Sequence, residues 1–358
     1  MIIGRRRHAI LCAAALVLGT TGFLPAAAQK TTSAPSHPTR FSEVDLVSDI
    51  PGRATITDPK LVNPWGLAMG PGLWVSDNGT DTATVYGGGG TAGPIVKESI
   101  EVAVPSAPTG QVSNPGPGFT VTGPGGSGPA RFIFATESGT IAGWNSTADP
   151  AHAVVAATVP HANFKGLTLV DGRLLAADFF HRRIVVFSQN FQRIPGLFRD
   201  PFLPADYAPF NVAAIGGTVF VAYAKTAPGS SDEVTGPGDG FVSQFNASGR
   251  FIRRFASRGP LNAPWAITVA PRSFGSFAGA LLVGNFGDGR INAYNPRTGR
   301  YLGPLRRANG TPMAIEGLWG LEPGTAANGG QDALWFAAGI GEEAHGLLGL
   351  IVPAPPPR

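Results

Sequence analysis

Three tryptophans, Trp65, Trp265 and Trp319, are the side chains whose type and spacing best fit the recognition of a ligand. Each begins a short apolar stretch in a similar local sequence, and Lys165 and Asn211 hold the corresponding places in two further stretches. Indole faces are flat and amphipathic, so a ring of them at one mouth of a channel would bind a sugar or another small molecule, oriented by the lysine and the asparagine. In the alternative interpretation, the indoles pack as repeated wedges between structural units.

Two clusters combine acidic residues with a histidine. Asp178 precedes His181 by three residues, which is compatible with a metal-binding pair, and Glu342, Glu343 and His345 lie together in the segment GIGEEAHG. Both clusters also fall where turns are predicted, and an aspartate at such a place caps the turn by hydrogen bonding to the backbone. Turn formation and a solvated loop are therefore the favoured interpretations of the two clusters.

Motifs of common enzymes are missing from the sequence. It contains no G-x-S-x-G, H-E-x-x-H, G-x-x-x-x-G-K-[ST] or EF-hand pattern. The common hydrolase and nucleotide-binding classes thereby lose their usual support, and the sequence leaves open whether the protein is an enzyme.

The elements that must position these residues form a repeat. The chain has 50 Gly and 33 Pro, and its short apolar runs are bounded by turn residues, which is typical of an all-β protein. The repeating unit is clearest at residues 164–194, where GLTLV, RLLAAD and RIVVF precede a polar hairpin. Such units start at intervals of 45 to 54 residues, at Trp65, Phe119, Gly166, Asn211, Trp265 and Trp319. Six four-stranded units predict a six-bladed β-propeller over residues 41–352.

Both ends of this region indicate how the ring closes. The last unit shows only three strands, while a run of alternating apolar residues at 41–47 precedes the first unit. We therefore expect the N-terminal strand to complete the last blade, which removes free strand edges. Four stretches rich in Gly, Pro and Ser are predicted to be flexible connections rather than core strands: 87–93, 105–118, 123–129 and 227–239.

Residues 1–28 have the features of a cleaved export signal. A basic start that includes Arg6 and Arg7 is followed by an apolar run and by small residues just before Gln29. The paired arginines leave both the general secretory and the twin-arginine routes open. The protein is therefore predicted to be secreted or periplasmic, with a linker at 29–40 and a Pro-rich tail at 353–358.

Removal of the signal changes the charge and the cysteine content. The chain has 27 Lys and Arg against 23 Asp and Glu, and the loss of three arginines leaves 24 against 23. Nucleic-acid binding is not expected, because it depends on clustered basic side chains. Cys12, the single cysteine, leaves with the signal, so no disulfide is expected. No later segment is apolar for long enough to predict a membrane span, and a monomer is expected.

One unit carries a family resemblance. The segment AADFFHRRIVVF, residues 176–187, resembles the Asp, Asn-His-Arg-Ile, Val-Phe signature of NHL-type propeller repeats. Residues 41–352 as a whole also resemble a family of exported bacterial propeller proteins of unknown function. The resemblance rests on Leu-Val-Ser-Asp at 46–49 and Asn-Pro-Trp-Gly at 63–66. It implies a propeller fold and no particular activity.

A second resemblance concerns a metal site. The Glu316-Gly317 pair is similar to the Glu-Gly start of gluconolactonase and regucalcin-like propellers, in which a Glu, an Asn and an Asp hold a divalent cation over the channel. This implies Glu316 and Asn211 as metal ligands and Ca²⁺ as the candidate cofactor, since hard cations prefer oxygen ligands. The set is incomplete in this alignment, and other oxygen ligands would have to come from second turns of the units: Asn78, Glu137, Asp178 and Asn285.

The sequence thus predicts an exported propeller that binds a small molecule, a glycan or a protein at a channel mouth. The binding residues proposed are Trp65, Lys165, Asn211, Trp265 and Trp319. A metal-dependent hydrolase of the lactonase or esterase type and a structural extracellular module are the alternatives, because one propeller fold hosts all of these functions.

Overall fold

A computed structural model describes residues 40–354 of the protein. Within them, short antiparallel strands form six separate blade sheets, which confirms the predicted all-β, six-bladed propeller. The predicted export signal, residues 29–39 of the predicted linker and the last residues of the Pro-rich tail lie outside the described residues. Nothing among the described helices has the length and the apolar character that a membrane-spanning helix requires.

The strands follow the chain blade by blade. The first two strands belong to the last blade: β1 (Phe41–Ser48) and β2 (Ile56–Thr57). Blade 1 comprises β3 (Pro64–Met69), β4 (Leu73–Asp77), β5 (Thr82–Gly87) and β6 (Val96–Ala103). Blade 2 and a small hairpin comprise β7 (Pro108–Ser113), β8 (Thr120–Gly123), β9 (Gly126–Pro129), β10 (Phe132–Thr136), β11 (Thr140–Trp144) and β12 (Val154–Thr158).

The second half of the ring repeats the pattern. Blade 3 comprises β13 (Phe164–Val170), β14 (Arg173–Asp178), β15 (Arg183–Phe187) and β16 (Arg193–Ile194). Blade 4 comprises β17 (Tyr207–Ile215), β18 (Thr218–Thr226), β19 (Glu233–Val234), β20 (Phe241–Asn246) and β21 (Phe251–Ser257). Blade 5 comprises β22 (Pro264–Val269), β23 (Leu281–Asn285), β24 (Ile291–Tyr294) and β25 (Tyr301–Pro304). Blade 6 adds β26 (Leu318–Pro323), β27 (Leu334–Ile340) and β28 (His345–Pro353). Three short 3-10 helices lie at Asn78–Thr80, Gly90–Ala92 and Gly275–Phe277.

The N-terminal strand closes the ring as predicted. Strand β1 pairs antiparallel with β28, from Phe41 opposite Pro353 to Ser48 opposite Leu347. Blade 6 therefore has the order β2-β1-β28-β27-β26 and joins the two ends of the propeller. Phe41 and Val47 are fully buried, so this closure adds apolar packing as well as backbone hydrogen bonds.

Blade 2 differs from the prediction. Its innermost strand is β7, which lies inside the stretch 105–118 that was expected to be a loop, while residues near Phe119 form the separate hairpin β8–β9. The sequence Pro-Thr-Gly-Gln-Val-Ser lacks the apolar pattern of a strand, because its polar side chains form hydrogen bonds to neighbouring blades. Thr109 donates to the Phe164 carbonyl at 2.6 Å, and Gln111 donates to the Gly66 carbonyl at 2.7 Å.

The six innermost strands, β3, β7, β13, β17, β22 and β26, contact one another in a ring around the channel. Each of them has a register irregularity near its start, where one or two extra residues bulge from the pairing. A bulge of this kind re-aims a side chain. The residues at the bulges are Trp65, Thr109, Lys165, Phe210, Trp265 and Trp319. The repeat alignment was therefore off by one in blade 4, where Phe210 rather than Asn211 is the counterpart of Trp65.

Small residues follow these bulges because neighbouring strands approach closely. A Cβ atom on Gly66 would lie 2.4 Å from the Thr109 carbonyl oxygen, and one on Gly320 would lie 2.4 Å from the Trp65 carbonyl oxygen. Glycine is needed where backbone meets backbone in this way. In blade 4 the residue that follows the bulge is Asn211 rather than a small residue. Its side-chain amide donates to the Trp265 carbonyl at 2.8 Å.

Candidate functional site

The three tryptophans meet inside the channel. The rings of Trp65 and Trp319 stack with centroids 3.4 Å apart, and Trp265 meets them edge-on at 6.1 and 5.8 Å. Phe286 stacks on the other side of Trp319 at 4.1 Å. Relative exposures of 2% for Trp65, 5% for Trp265 and 0% for Trp319 identify a packed aromatic layer. The indoles thus pack mainly against one another, and their predicted role in ligand binding stays a prediction.

This aromatic layer separates two ends of the channel. The upper end is where the six innermost strands begin, and the lower end is where they finish. Hydrogen bonds tie the layer to the upper end, because the Trp319 indole donates to Asn63 Oδ1 at 3.1 Å and the Trp265 indole donates to the Lys165 carbonyl at 2.9 Å. Two of the three indole N–H groups are therefore satisfied by residues at the upper end.

The upper end is occupied by a connected polar layer centred on Lys165. The ammonium group of Lys165, whose side chain is 3% exposed, lies 2.7 Å from Glu137 Oε1 and 5.1 Å from the centre of the Trp65 ring. Burial alone would lower the pKa of Lys165, but Glu137 and the neighbouring carboxylates raise it overall. Asp232, in the connection between β18 and β20, also lies 3.6 Å from this ammonium group. The connection at 227–239 therefore reaches the channel mouth.

Asparagines extend the upper layer around the ring. Asn78 donates to Glu137 at 3.3 Å, and Asn63 donates both to Asn78 at 3.2 Å and to Glu343 at 2.7 Å. Burial raises the pKa of Glu343. Side chains from blades 1, 2, 3 and 6 thus satisfy one another, and the upper end is a paired network rather than an open site.

The lower end is a cavity of about 380 Å³. Its walls come from the final parts of all six innermost strands, and Trp265 contributes from the aromatic layer. Among the predicted binding residues, Asn211 and Trp265 line this cavity, whereas Lys165 belongs to the upper layer and Trp65 and Trp319 to the aromatic layer. The polar side chains of the wall are Gln111, Ser113, Thr168, Asn211, Thr268 and Glu322.

Glu322 is the one charged residue in the cavity wall. It lies on β26, opposite Trp335 of β27. Within residues 40–354 its carboxylate has neither a hydrogen-bond partner nor an ion-pair partner. Burial raises its pKa to about 8. Other wall groups are already used inside the protein, since Gln111 donates to the Trp74 carbonyl at 2.8 Å and Thr168 accepts from the Ala214 backbone at 3.0 Å.

The sequence contained a signal for Glu322 that the repeat alignment could have used. Glu322 lies three residues after the bulge residue Trp319. At the same distance from the other bulges stand small or uncharged residues: Ala68, Val112, Thr168, Ala213 and Thr268. A charged side chain at one of six equivalent channel positions is unexpected for packing alone. The segment LWGLEP was interpreted only as a strand, so this difference was missed.

The predicted metal ligands lie in different pockets. Glu316 accepts a hydrogen bond from the Gly341 backbone at 3.0 Å and shares a pocket with His345, whereas Asn211 lines the central cavity. Across residues 40–354, no group of three or more His, Cys, Asp and Glu side chains is arranged to hold a metal ion. The assignment of Ca²⁺ to Glu316 and Asn211 stays a prediction.

The two histidine clusters fulfil structural roles. His181 Nδ1 lies 2.8 Å from Asp178, which also accepts from Arg183 at 3.2 Å, so the aspartate ties its own turn together. His345 Nδ1 lies 2.7 Å from Asp49 and thereby connects blade 6 to the segment that follows β1. Glu343 turns toward the upper polar layer instead of lying in a solvated loop.

Comparisons with known proteins reveal relatives and fold neighbours. No family model matches the chain. It is 38% identical over 321 residues to uncharacterized protein R648 of Acanthamoeba polyphaga mimivirus, covering 86% of this chain and 78% of the relative. It is 38% identical over 325 residues to uncharacterized protein L690 of the same virus, covering 86% and 84%.

Solved structures support the fold alone. A chain of the COPII outer coat vertex on membranes aligns with a TM-score of 0.51 at 9% identity, over 78% of this chain and 66% of that one. A streptogramin B lyase aligns with a TM-score of 0.47 at 12% identity, over 87% and 96%. Identities this low carry no information about activity. The sequence similarity is informative, and it shows that the chain belongs to the same family as the two mimivirus proteins.

Proposed function

We propose that the protein is a binding propeller that holds a small molecule with a protonated amine in the lower cavity of its channel. The observation that carries this proposal is the carboxyl group of Glu322, which lines the cavity without a partner among the described residues. A carboxyl group that is withdrawn from water with no cation beside it favours its neutral form, because the charged form loses its hydration. A cationic ligand would supply the missing partner.

The size and shape of the cavity suit a small ligand. Its volume of about 380 Å³ falls in the range of pockets that enclose small molecules and is too small for a folded partner. Among the predicted ligand classes, a small molecule or the end of a glycan fits this space. Trp265 at its inner end is buried in the aromatic layer, and the exposed surface of the cavity is mainly polar, so a small polar amine is favoured.

Hydrogen-bonding groups for such a ligand are present in the wall. Each innermost strand pairs with the second strand of its own blade, so part of its backbone N–H and C=O groups faces the channel. Thr268 adds a hydroxyl group to the lining. Backbone groups with a few precisely placed side chains are the usual means by which pockets fix the orientation of a ligand.

Replacing Glu322 tests the proposal. Isothermal titration of the protein with a panel of small amines and their neutral hydroxyl counterparts should identify an amine that binds. Glu322→Gln keeps the shape of the side chain but removes its charge, and we expect it to weaken amine binding at least about tenfold, as loss of a buried charged hydrogen bond does. Glu316→Gln, in a separate pocket, is the matched control and should bind as the unaltered protein does. Equal affinity of the Glu322 variant and the control would contradict the proposal.

A metal-dependent hydrolase is the weaker candidate, because Glu316 and Asn211 line separate pockets. We also propose that the protein is exported to a secreted or periplasmic location, which is supported by the order of basic, apolar and small residues in 1–28. Mass spectrometry of the exported protein should find Gln29 at its N-terminus. An N-terminus at Met1 would contradict export with cleavage.

A further inference from the structure

Two apolar side chains project from one surface connection. Residues 195–206 join β16 of blade 3 to β17 of blade 4. They carry Leu197 and Phe202, which at 69% and 71% are the most exposed large apolar side chains among residues 40–354. Single exposed apolar residues are common on protein surfaces, but two on one short connection form a candidate interaction site.

A buried carboxylate holds this connection in place. The side chain of Asp200 is fully buried, and its Oδ2 atom accepts from Ser243 at 2.7 Å and from Arg254 at 2.8 Å. Its Oδ1 atom accepts from the backbone N–H of Phe202 at 2.8 Å. Phe198, 6% exposed, fixes the connection from below. Leu197 and Phe202 are therefore presented to solvent by an ordered backbone.

Basic side chains surround the apolar tips. Arg182, Arg183 and Arg199 are exposed, and together with Leu197 they line one pocket of about 340 Å³. Arg182 also donates to the Ala205 carbonyl, which attaches it to the connection. The acidic residue in this pocket is Asp200, whose carboxylate is already occupied by Arg254. Arg183 is paired with Asp178, and the exposed Asp206 lies on the same connection. Among residues 40–354, the cations of this surface without a carboxylate partner are therefore Arg182 and Arg199.

We propose that this surface, which we name the basic-apolar patch, binds an anionic lipid bilayer. It comprises Arg182, Arg183, Leu197, Arg199 and Phe202. Apolar tips that enter the boundary between headgroups and acyl chains, beside guanidinium groups that bind phosphates, are the arrangement used by proteins at membrane surfaces. This inference is independent of ligand binding in the channel.

A lipid surface fits the patch better than a protein partner does. The neighbouring outer strand, β16, has two residues, so it offers a partner chain little edge for strand addition. Protein interfaces also need donors and acceptors from both sides. The charged groups that the patch leaves without a carboxylate partner among the described residues are Arg182 and Arg199. Guanidinium groups are donors without acceptor atoms, so a plane of lipid phosphates complements them.

Vesicle co-sedimentation of the full chain tests the proposal. We expect binding to vesicles of phosphatidylcholine mixed with phosphatidylglycerol, weakening at high salt, and little binding to phosphatidylcholine alone. The double variant Leu197→Ser/Phe202→Ser should lower the partition coefficient at least about tenfold, because its apolar tips no longer enter the bilayer. Arg199→Gln should lower it about fivefold.

A matched control separates the patch from general hydrophobicity. Val96→Ser/Ile100→Ser removes two apolar side chains of β6, 52% and 40% exposed, and should bind vesicles as the unaltered protein does. Every variant retains residues 1–39, so differences between variants report on the patch. If the double variant shows no thermal unfolding transition, and so is not folded, the vesicle binding of Arg199→Gln tests the inference without it.

Three results would overturn the inference. These are equal binding of all variants to anionic vesicles, equal binding to neutral and anionic vesicles, and no binding to either. A protein that instead binds immobilised poly-glutamate through Arg199, and no vesicles, would have an acidic protein as its partner.

Discussion

The two ends of the channel contain partly buried carboxyl groups in opposite surroundings. At the upper end, Glu137 and Glu343 are bonded to Lys165 and Asn63, at 2.7 Å in both cases. At the lower end, Glu322 has no partner within residues 40–354, and burial raises its pKa to about 8. The paired carboxylates connect neighbouring blades, whereas ionisation of the unpaired one destabilises the folded state. Glu233 at the upper end also has a pKa raised by burial, but Lys165 opposes that rise, whereas no cation among the described residues opposes the rise at Glu322. The proposed cationic ligand is therefore assigned to the lower end.

Lys165→Met should cause the largest loss of stability among the variants that test this difference between the two ends. The variant removes the buried cation of the upper layer, which interacts with both Glu137 and Glu233, and leaves these two carboxyl groups without compensation. Burial already raises the pKa of Glu233 to about 7, with Lys165 as the group that opposes the rise. We expect a loss of about 3 kcal/mol in the free energy of unfolding at neutral pH, measured by urea denaturation, because breaking a buried ion pair strands the remaining charge.

Lys225→Met is the matched control for that experiment. Lys225 pairs with Asp239 at 3.4 Å, but its side chain is 36% exposed. A pair in contact with water contributes little, so the control should lose less than about 1 kcal/mol. If the two variants lost similar amounts of unfolding free energy, the ion pairs of the upper layer would contribute no more to stability than a surface pair does.

Glu322→Gln should have the opposite sign of effect on stability. The folded-state pKa of about 8 is above the ordinary 4.5 of a glutamate, so between these values the folded protein binds more protons than the unfolded chain. The free energy of unfolding should therefore fall as pH rises through this window. Glutamine does not titrate, so the stability of the variant should not decrease for this reason as pH rises. In denaturation experiments at pH 5, 7 and 9, the free energy of unfolding of the variant should increase relative to that of the unaltered protein, by on the order of 2 kcal/mol at pH 9. A constant difference across pH would show that Glu322 is not the group responsible.

The sequence predicted the fold more completely than the site. Recurrent strands separated by turns, and the alternating run at 41–47, were enough to predict six blades and the closing strand, because both follow from local patterns of apolar residues. Strand β7 was missed because contacts with other blades, rather than apolar content, make it a strand. Such contacts are not visible in a local pattern.

The candidate site was predicted in part. The repeat identified Trp65, Trp265 and Trp319 as equivalent, yet it gave no indication that the indoles of blades 1 and 6 stack at 3.4 Å. That contact depends on the bulges of the innermost strands, which turn side chains toward the axis. Asn211 and Trp265 were predicted as binding residues and line the cavity, while Glu322 was overlooked. The general lesson is that differences between repeats, more than their shared residues, mark the position of a site.

The proton balance of amine binding bears most directly on the contrast between the two ends. At pH 7 the carboxyl group of Glu322 is largely protonated, because its pKa is about 8. A bound ammonium group favours the charged carboxylate and lowers that pKa, so amine binding must release a proton. Apparent affinity should then rise up to about tenfold for each pH unit between pH 6 and 8, provided that the amine itself stays protonated. Titration calorimetry in phosphate and in HEPES would measure the released proton directly, since the two buffers differ in ionisation enthalpy and neither is a small primary amine. Glu322→Gln should abolish both the pH dependence and the buffer dependence, whereas Lys165→Met, which alters the upper layer, should leave them in place. If the pH dependence disappeared with Lys165 instead, the amine would bind at the upper end of the channel.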